Sequence, residues 1–440
     1  MTGRRLLVLL VALAAIGIPA GILQVLCVGR SCEAEPSAAR VPFCPLPETL
    51  RTAIANGYRE GRSPDVLAVG ASTPVYTQVD ELRLPWPSVG TAADDRVPLV
   101  FVGAGIASGT PISDGVTLDR VAPTVSDALG FQRPFPDVRS GTAVPGVASA
   151  SGRPPRLILL IAWKGAGSAE LEARPGAWAF LASLLERGAG TLQAEVGSLP
   201  LDPTAALTTI GTGGLPSQHG ITGSFVRSDE GRVAEAFAEG SPVPVIASLA
   251  DDLERAHPRT LVGLVETAPR DRGLVGGGWY PDQDPVDTVI GDAAAAPLAV
   301  EVHLSTGYGA DDVPDVLGVV LDGGIRAMDR LTRRIVTEAQ AATGDATLVV
   351  VAGTGTWERG RTAVPDAFAV DAVEASIPGA APAVEAVVPG GLFLDQDVLR
   401  AEQVTGQAAV DALLAAEDPE GGRMVADAFQ GFAVSFARYC

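Results

Sequence analysis

The chain contains one lysine, Lys164, set just after an apolar stretch that opens with the uninterrupted run Leu157–Ile161. A primary ammonium at the mouth of a buried strand has two chemical uses. It offers a point charge to an anionic ligand, or it neutralises a neighbouring carboxylate. Imidazoles are scarce: His219, His257 and His303 are the only three. His219 falls in a His-Gly turn. His257 ends a Glu-Arg-Ala-His-Pro segment and reads as a helix C-terminal cap. His303 is expected on or beside a strand, packed rather than ligating. The acidic residues Asp311, Asp312, Asp315, Asp322 and Asp329 cluster in sequence. They would hold calcium only if loop oxygens joined them. Asp322 and Asp329, seven apart, read instead as a solvated helix face. Gly103, Gly105 and Gly109 form no nucleotide fingerprint and read as a turn after a strand.

The elements that must position these groups follow from apolar periodicity. A helix is expected over Leu46–Tyr58, strands over Asp65–Val69 and Val97–Val102, and a helix over Asp119–Leu129 ending at Gly130. Residues 138–155 have the composition of a linker. After it come a strand at Leu157–Ile161, a helix at Ala177–Arg187, a helix at Val243–Arg255 and a strand near Thr260–Leu264. A strand is expected at Leu298–Leu304, a long helix over Leu317–Thr343, and a buried strand at Thr347–Val351. Strands alternating with helices predict an α/β fold, with a mainly parallel sheet covered by helices on both faces.

The chain is long enough for such a domain, with 440 residues of which 47% are hydrophobic. Its net charge of −20 is spread along the chain, and no basic stripe interleaved with aromatics is present. Nucleic acid is therefore not an expected partner. Arg4 and Arg5 precede an apolar run from Leu6 to Val28, long enough to cross a bilayer as a helix. No small-x-small cleavage site closes it. Residues 1–30 read as an uncleaved signal-anchor, with a cleaved signal peptide and a secreted product as the alternative. The arginines then stay inside, and everything after residue 30 lies outside the cytoplasm, tethered to the cell membrane by a single pass. Residues 31–45 read as a stalk and 46–440 as the folded domain. The cysteines are Cys27, Cys32, Cys44 and Cys440, none of them in the central body, so a Cys-rich zinc site is excluded.

Four stretches together resemble the alkaline phosphatase / nucleotide pyrophosphatase–phosphodiesterase superfamily. RLILLIAWKGAG, residues 156–167, is similar to the family strand that ends in a metal-binding Asp. SLPLDPTAALTTIGTGGLPSQHGITG, residues 198–223, resembles the nucleophile segment, and Thr212, Gly213, Pro216, His219 and Gly220 match its tail. The helix with Asp329 and the following TLVVVAGTGT, residues 347–356, resemble the helix and strand that lead to Ser-Asp-His-Gly. Residues 57–69, 88–106 and 119–131 resemble the family's C-terminal part, and here they come first. The resemblance thus implies a circular permutant, in which 46–137 corresponds to the C-terminal part, 138–155 is the join, and 156–440 supplies the rest. Permutation also implies that Cys44 and Cys440 flank the opened junction and pair with each other. The alternatives are two free thiols or a Cys32–Cys44 bridge.

The family chemistry is metal-assisted phosphoryl transfer, with two ions activating a Thr or Ser nucleophile. Carried over position by position, the first metal Asp corresponds to Lys164, the Asp-His pair to Gly353 and Thr354, and the late His to Val89. The mid-chain Asp-x-x-x-His is placed at Val302 and Thr306, and the nucleophile at Pro203 or Thr204. Such a set implies no catalytic residues, no metal and no cofactor. The expectation is an inactive member of the fold, acting as an extracytoplasmic binding or scaffold protein for an unknown protein or a small anionic ligand. An anion would sit between Lys164, Thr204 and the N–H groups of the following helix. The competing account has Lys164 neutralise Asp202 or another nearby carboxylate. An active zinc-dependent phosphoric- or sulfuric-ester hydrolase with replacement ligands is the alternative, and a purely structural envelope protein is a third.

Overall fold

The computed structural model describes residues 41–440 except 90–94, 150–151, 239–240, 277–285, 356–362, 419–420 and the side chains of 437–439. Residues 42–440 form one compact unit. No helix among the described residues is long and apolar enough to cross a membrane. The apolar run Leu6–Val28, Cys27 and Cys32 lie outside the described residues.

The body is an α/β layer structure around a seven-stranded sheet. Its strands are β4 (Arg96–Gly103), β5 (Leu157–Trp163), β6 (Ala189–Glu195), β9 (Val262–Glu266), β10 (Val286–Val289), β11 (Asp315–Leu321) and β12 (Thr347–Gly353), in the order β10-β9-β11-β5-β12-β4-β6. Only β4 runs against the others. Alternation explains why the central strands carry apolar residues at every position. Ile158, Leu160 and Ala162 of β5 face one core, and Leu157, Leu159, Ile161 and Trp163 face the other. A strand buried on both faces has no polar side to show. Each large apolar side chain so buried contributes about 1.5–3 kcal/mol relative to exposure. Helices Ala179–Arg187, Ala296–Ser305 and Ile325–Thr343 close one face. Helices Val121–Leu129, Pro203–Thr212 and Leu249–Ala256 close the other.

A smaller antiparallel sheet joins the two ends of the domain. Its strands are β1 (Val66–Gly70), β14 (Val384–Val388), β15 (Gly391–Leu394) and β16 (Val425–Gln430), in the order β14-β15-β1-β16. Phe43 is 1% exposed and stacks on Phe429 at 5.1 Å, while its N–H donates to Asp427 Oδ2 at 2.9 Å. Cys44 and Cys440 form a disulfide with Cα atoms 5.1 Å apart across 396 residues of sequence. A three-stranded unit of β2 (Val75–Val79), β3 (Leu82–Pro85) and β13 (Val364–Pro365) and a hairpin of β7 (Phe225–Arg227) and β8 (Val233–Glu235) complete the strands described.

Several sequence expectations need correction. Leu298–Leu304 is helical, within Ala296–Ser305, because Ala296, Ala299, Val300 and His303 are the inward residues, a spacing that only a helix produces. Leu317–Thr343 is not one helix. β11 occupies its start, wedged between β5 and β9, and Gly323-Gly324 separates it from the helix Ile325–Thr343. The helix expected from Val243 begins at Leu249, where Ser248 and Asp251 form a reciprocal capping box. The stalk ends before residue 45, since Phe43 is already core. Within the stretch read as a linker, residues 141–147 form a packed strap: Gly141 N–H donates to Gly213 O (3.1 Å), Val144 N–H to Thr124 Oγ1 (2.9 Å), and Val144 and Val147 are buried. Its small residues allow that close packing.

Candidate functional site

Parallel pairing brings the carboxyl ends of β9, β11, β5 and β12 to one edge of the sheet. In open α/β sheets this is the edge where ligands bind. The residues that leave the strands there are Thr267 after β9, Asp322 after β11, Lys164 after β5 and Thr354 after β12. Because β4 is antiparallel, its first residues reach the same edge.

Lys164 is fixed at this edge by both backbone and side chain. Its N–H donates to Leu321 O at 2.8 Å. Its ammonium donates to Asp271 Oδ1 at 2.8 Å and makes a longer contact, 3.4 Å, with Thr267 Oγ1. The other Asp271 oxygen accepts from Thr267 N–H (3.1 Å), Thr267 Oγ1 (2.8 Å) and Ala268 N–H (3.0 Å). The Asp271 side chain is fully buried and that of Lys164 is 5% exposed. A buried ion pair persists only when its remaining hydrogen-bonding capacity is met, and Asp271 meets that condition.

The β2–β3 hairpin covers this pair. Leu82 lies so close to Gly165 that a Cβ there would sit 2.8 Å from Leu82 Cδ2, and Gly165 holds a φ of +69°. At the hairpin tip Asp80 pairs with Arg270, which also pairs with Glu235. Burial works against the Arg270 charge, but Asp80 and Glu235 outweigh it and hold the guanidinium above its ordinary value.

The edge carries more carboxyl groups than cations. Glu266 is 2% exposed, and burial, then Asp287 and Asp271, push it up to about 8. Its Oε2 is buried without a hydrogen-bond partner. Burial also raises Asp322, although Lys164 pulls it the other way. At neutral pH Glu266 is therefore held largely as the acid. Glu266 and Asp271 were missed in the sequence, and Asp322 was placed on a helix face instead of at this edge. The signal for two of them was available: each sits at the end of an apolar strand, as VGLVE and VVLD.

The positions carried over from the resemblance do not assemble into a metal site. Gly353 has no room for a side chain, because a Cβ there would lie 2.5 Å from Ala166 O and 2.8 Å from Pro98 Cδ. Thr354 is buried, with its hydroxyl accepting from Gly165 N–H at 2.9 Å. Val302 is 57% exposed on the outer side of its helix, where Thr306 is the C-terminal cap, so neither faces the edge as a ligand pair would. Val89 is 63% exposed. A fixed ammonium, a crowded glycine and neutral side chains do not fit a pair of zinc ions. Among the described residues no group of three or more His, Cys, Asp or Glu is placed to hold a metal.

Pro203 and Thr204 open the helix Pro203–Thr212, whose N-cap is Asp202. Asp202 accepts from Thr204 N–H (2.9 Å) and from the Ser224 N–H (2.8 Å) and hydroxyl. The carboxylate already stands where an anion would bind, and it is not the partner of Lys164. Thr204 Oγ1 is buried and unpartnered. The helix packs on the segment that carries Asp271, as Gly273 lies close against Thr208. Among the described residues no hydrogen bond joins Lys164 to Thr204.

The histidines and remaining aspartates are structural. His219 accepts from Ile221 N–H at Nδ1 (3.1 Å), so its Nε2–H is left to donate to Thr209 Oγ1 (3.1 Å). Burial, with Arg59 adding to it, lowers it to about 3. His257 caps the helix Leu249–Ala256. His303 is on a helix, not a strand, and is buried against Tyr308 with Nε2 3.1 Å from Thr288 Oγ1. The solvated helix face is also overturned. Asp322 precedes the helix, while Asp329 is buried and accepts from Phe180 and Leu181 N–H, which makes it the N-terminal cap of a neighbouring helix. Asp315 accepts from Leu261 and Gly309 N–H, both at 2.7 Å. Asp311 pairs with Arg259 in solvent. Asp312 is exposed.

A scan of the chain against protein-family models finds no match, and a search of curated proteins finds no match either.

Proposed function

We propose that this protein is a catalytically silent, circularly permuted relative of the alkaline phosphatase / nucleotide pyrophosphatase–phosphodiesterase superfamily, tethered to the membrane and working outside the cytoplasm as a scaffold or binding protein. The observation that carries the reading is the Lys164–Asp271 pair, which fills the carboxyl edge of the sheet under a covering hairpin. An anion at Lys164 would have to displace a carboxylate that three further donors hold in place. The binding role is therefore assigned to the outer surface rather than to that edge. The Cys44–Cys440 bridge favours an oxidising compartment, in line with the apolar run Leu6–Val28 as an anchor. The pairing of β1 with β16 and the placement of β4 beside β12 support the permuted reading, because they knit the first part of the domain to the last.

The test is hydrolysis and metal content of the full chain purified in detergent. p-Nitrophenyl phosphate, bis-p-nitrophenyl phosphate and p-nitrophenyl sulfate should turn over at the buffer rate with or without added zinc. Stoichiometric bound zinc together with turnover would establish the hydrolase alternative instead.

A further inference from the structure

We infer that the pocket at one end of the small sheet binds a single neutral pyranose ring. The pocket shares no residue with the carboxyl edge, so the inference does not depend on that edge being silent. Antiparallel pairing sets the start of β1 beside the ends of β15 and β16, since Val66 pairs with both Leu392 and Gln430. Asp65, Leu394 and Gln430, which stand at those ends, line a pocket of about 230 Å³ together with Tyr58, Arg227 and Gln396. Gly431 leaves room for the Tyr58 ring in the wall, because a Cβ there would lie 2.8 Å from Tyr58 Cε2. The polar groups are held in place yet keep bonding capacity. Asp65 Oδ2 accepts from Arg227 Nη2 and from Leu394 N–H (2.8 Å), and Oδ1 accepts from Gln396 Nε2 (3.1 Å). Arg227 also pairs with Glu385 at 3.5 Å and lies over the Phe393 ring. The amide oxygens of Gln396 and Gln430 and the Tyr58 hydroxyl have no hydrogen-bond partner among the described residues.

These groups select the ligand. Asp65 Oδ1 and the two amide oxygens accept, so the ligand must be rich in O–H donors. Burial, then Glu60 and Asp65, push Tyr58 up to about 12, so it stays a phenol that both donates and accepts. The Asp65 charge is already met by Arg227, so a cation gains little there. Phe432, 53% exposed, and Leu399 supply an apolar wall on which the C–H face of a sugar ring packs. The volume is below the ~300 Å³ at which pockets for drug-sized ligands begin, which suits one ring. A larger groove lies beside Arg133 and Arg139, but those guanidiniums are committed to Asp252 and to backbone carbonyls.

The experiment is saturation-transfer-difference NMR on the full chain in a detergent that carries no sugar. The probes are glucose, galactose, mannose and N-acetylglucosamine, each as the free sugar and as its methyl glycoside. At least one should bind in the millimolar range, with its ring C–H protons receiving the transfer. Tyr58→Phe and Gln396→Ala, with circular dichroism unchanged, should each weaken binding about tenfold, the loss of one hydrogen bond. Leu298→Ala, at an exposed position on a helix of the seven-stranded body, should leave it unchanged. Signals from methyl glycosides assign the pocket to the end of a glycan, and signals from free sugars alone assign it to a solute; both sustain the inference. Silence from every probe, or binding that neither pocket variant weakens, would overturn it. Binding of protonated glucosamine where glucose fails would also overturn it, in favour of a cation site.

Discussion

Two buried ion clusters in this protein use the same chemistry to different ends. At the carboxyl edge one ammonium meets one carboxylate, with a single long contact to a hydroxyl besides. Beneath the strap, Arg133 and Arg139 converge on Asp252 at 2.8 and 3.3 Å. Both guanidiniums also donate to Thr212 O and Ala247 O, and Arg139 reaches Pro134 O and Phe135 O as well. Thr212 ends a helix, where carbonyls attract cations. Burial, then Arg139, lowers Arg133 to about 10 despite Asp252. The arginine cluster is a fastening that pins residues 133–139 to two helices. The lysine pair fastens little backbone on the ammonium side. Its position at the edge, more than its bonding, makes it informative about function.

Removing Asp252 should have the larger effect. Asp252→Asn removes the carboxylate on which both buried guanidiniums converge, and should lower unfolding free energy by about 3–5 kcal/mol. Urea unfolding followed by circular dichroism measures it. A loss under about 1 kcal/mol would mean that the backbone carbonyls alone hold the strap.

Lys164→Met should have a smaller effect, about 2–3 kcal/mol, because Asp271 keeps three donors when the ammonium leaves. Lys164→Met with Asp271→Asn should return to within about 1.5 kcal/mol of the parent, since neither charge is then left alone. A double variant as unstable as the sum of the two single ones would show that the two groups do not act on each other. The comparison between the clusters would then lose its basis.

The same contrast shows what could be read in the sequence. The centre of the seven-stranded body was legible because β5 and β12 are uninterrupted apolar runs, and such runs have one common use in an α/β chain, whereas β11 was read into a helix and β6 and β10 were not expected. Lys164 was legible because a lone cation after such a run has to be accounted for. Its partner was not: Asp271 sits on a 3₁₀ turn after β9, 107 residues away, and only the parallel pairing of β9, β11 and β5 brings them together. The strap was misread because Gly, Ala, Ser and Pro signal a loop whether that loop is loose or packed. Its real anchors, Arg133 and Arg139, bind backbone carbonyls that have no sequence signature. Ala296–Ser305 was misread because Leu298, Val300, Val302 and Leu304 alternate like a strand, although Val300 faces inward and Leu298 and Val302 outward.

The least drastic way to sharpen the comparison is to titrate the carboxyl edge, where Glu266 is held at about 8 against an ordinary value of 4.5. The folded state keeps a proton that the unfolded chain releases. Between pH 4.5 and about 8 the folded protein thus binds more protons, and stability falls as pH rises through that window. Asp322, also raised by burial, adds to the fall with the same sign. Glu266→Gln removes the Glu266 part of the slope. Its stability relative to the parent should be near constant below the ordinary carboxyl range, grow through neutral pH and level off above the folded value. Urea midpoints of both proteins at about pH 5, 7 and 9 measure that growing difference. The arginine cluster serves as the internal control, since guanidiniums stay charged across this range. An Asp252→Asn protein should therefore show the same pH slope as the parent, displaced to lower stability. A parent and a Glu266→Gln variant with parallel profiles would mean that Glu266 is ionised in the folded state. In that case a cation or water at the edge stabilises its charge, and a sealed, silent edge is the wrong description.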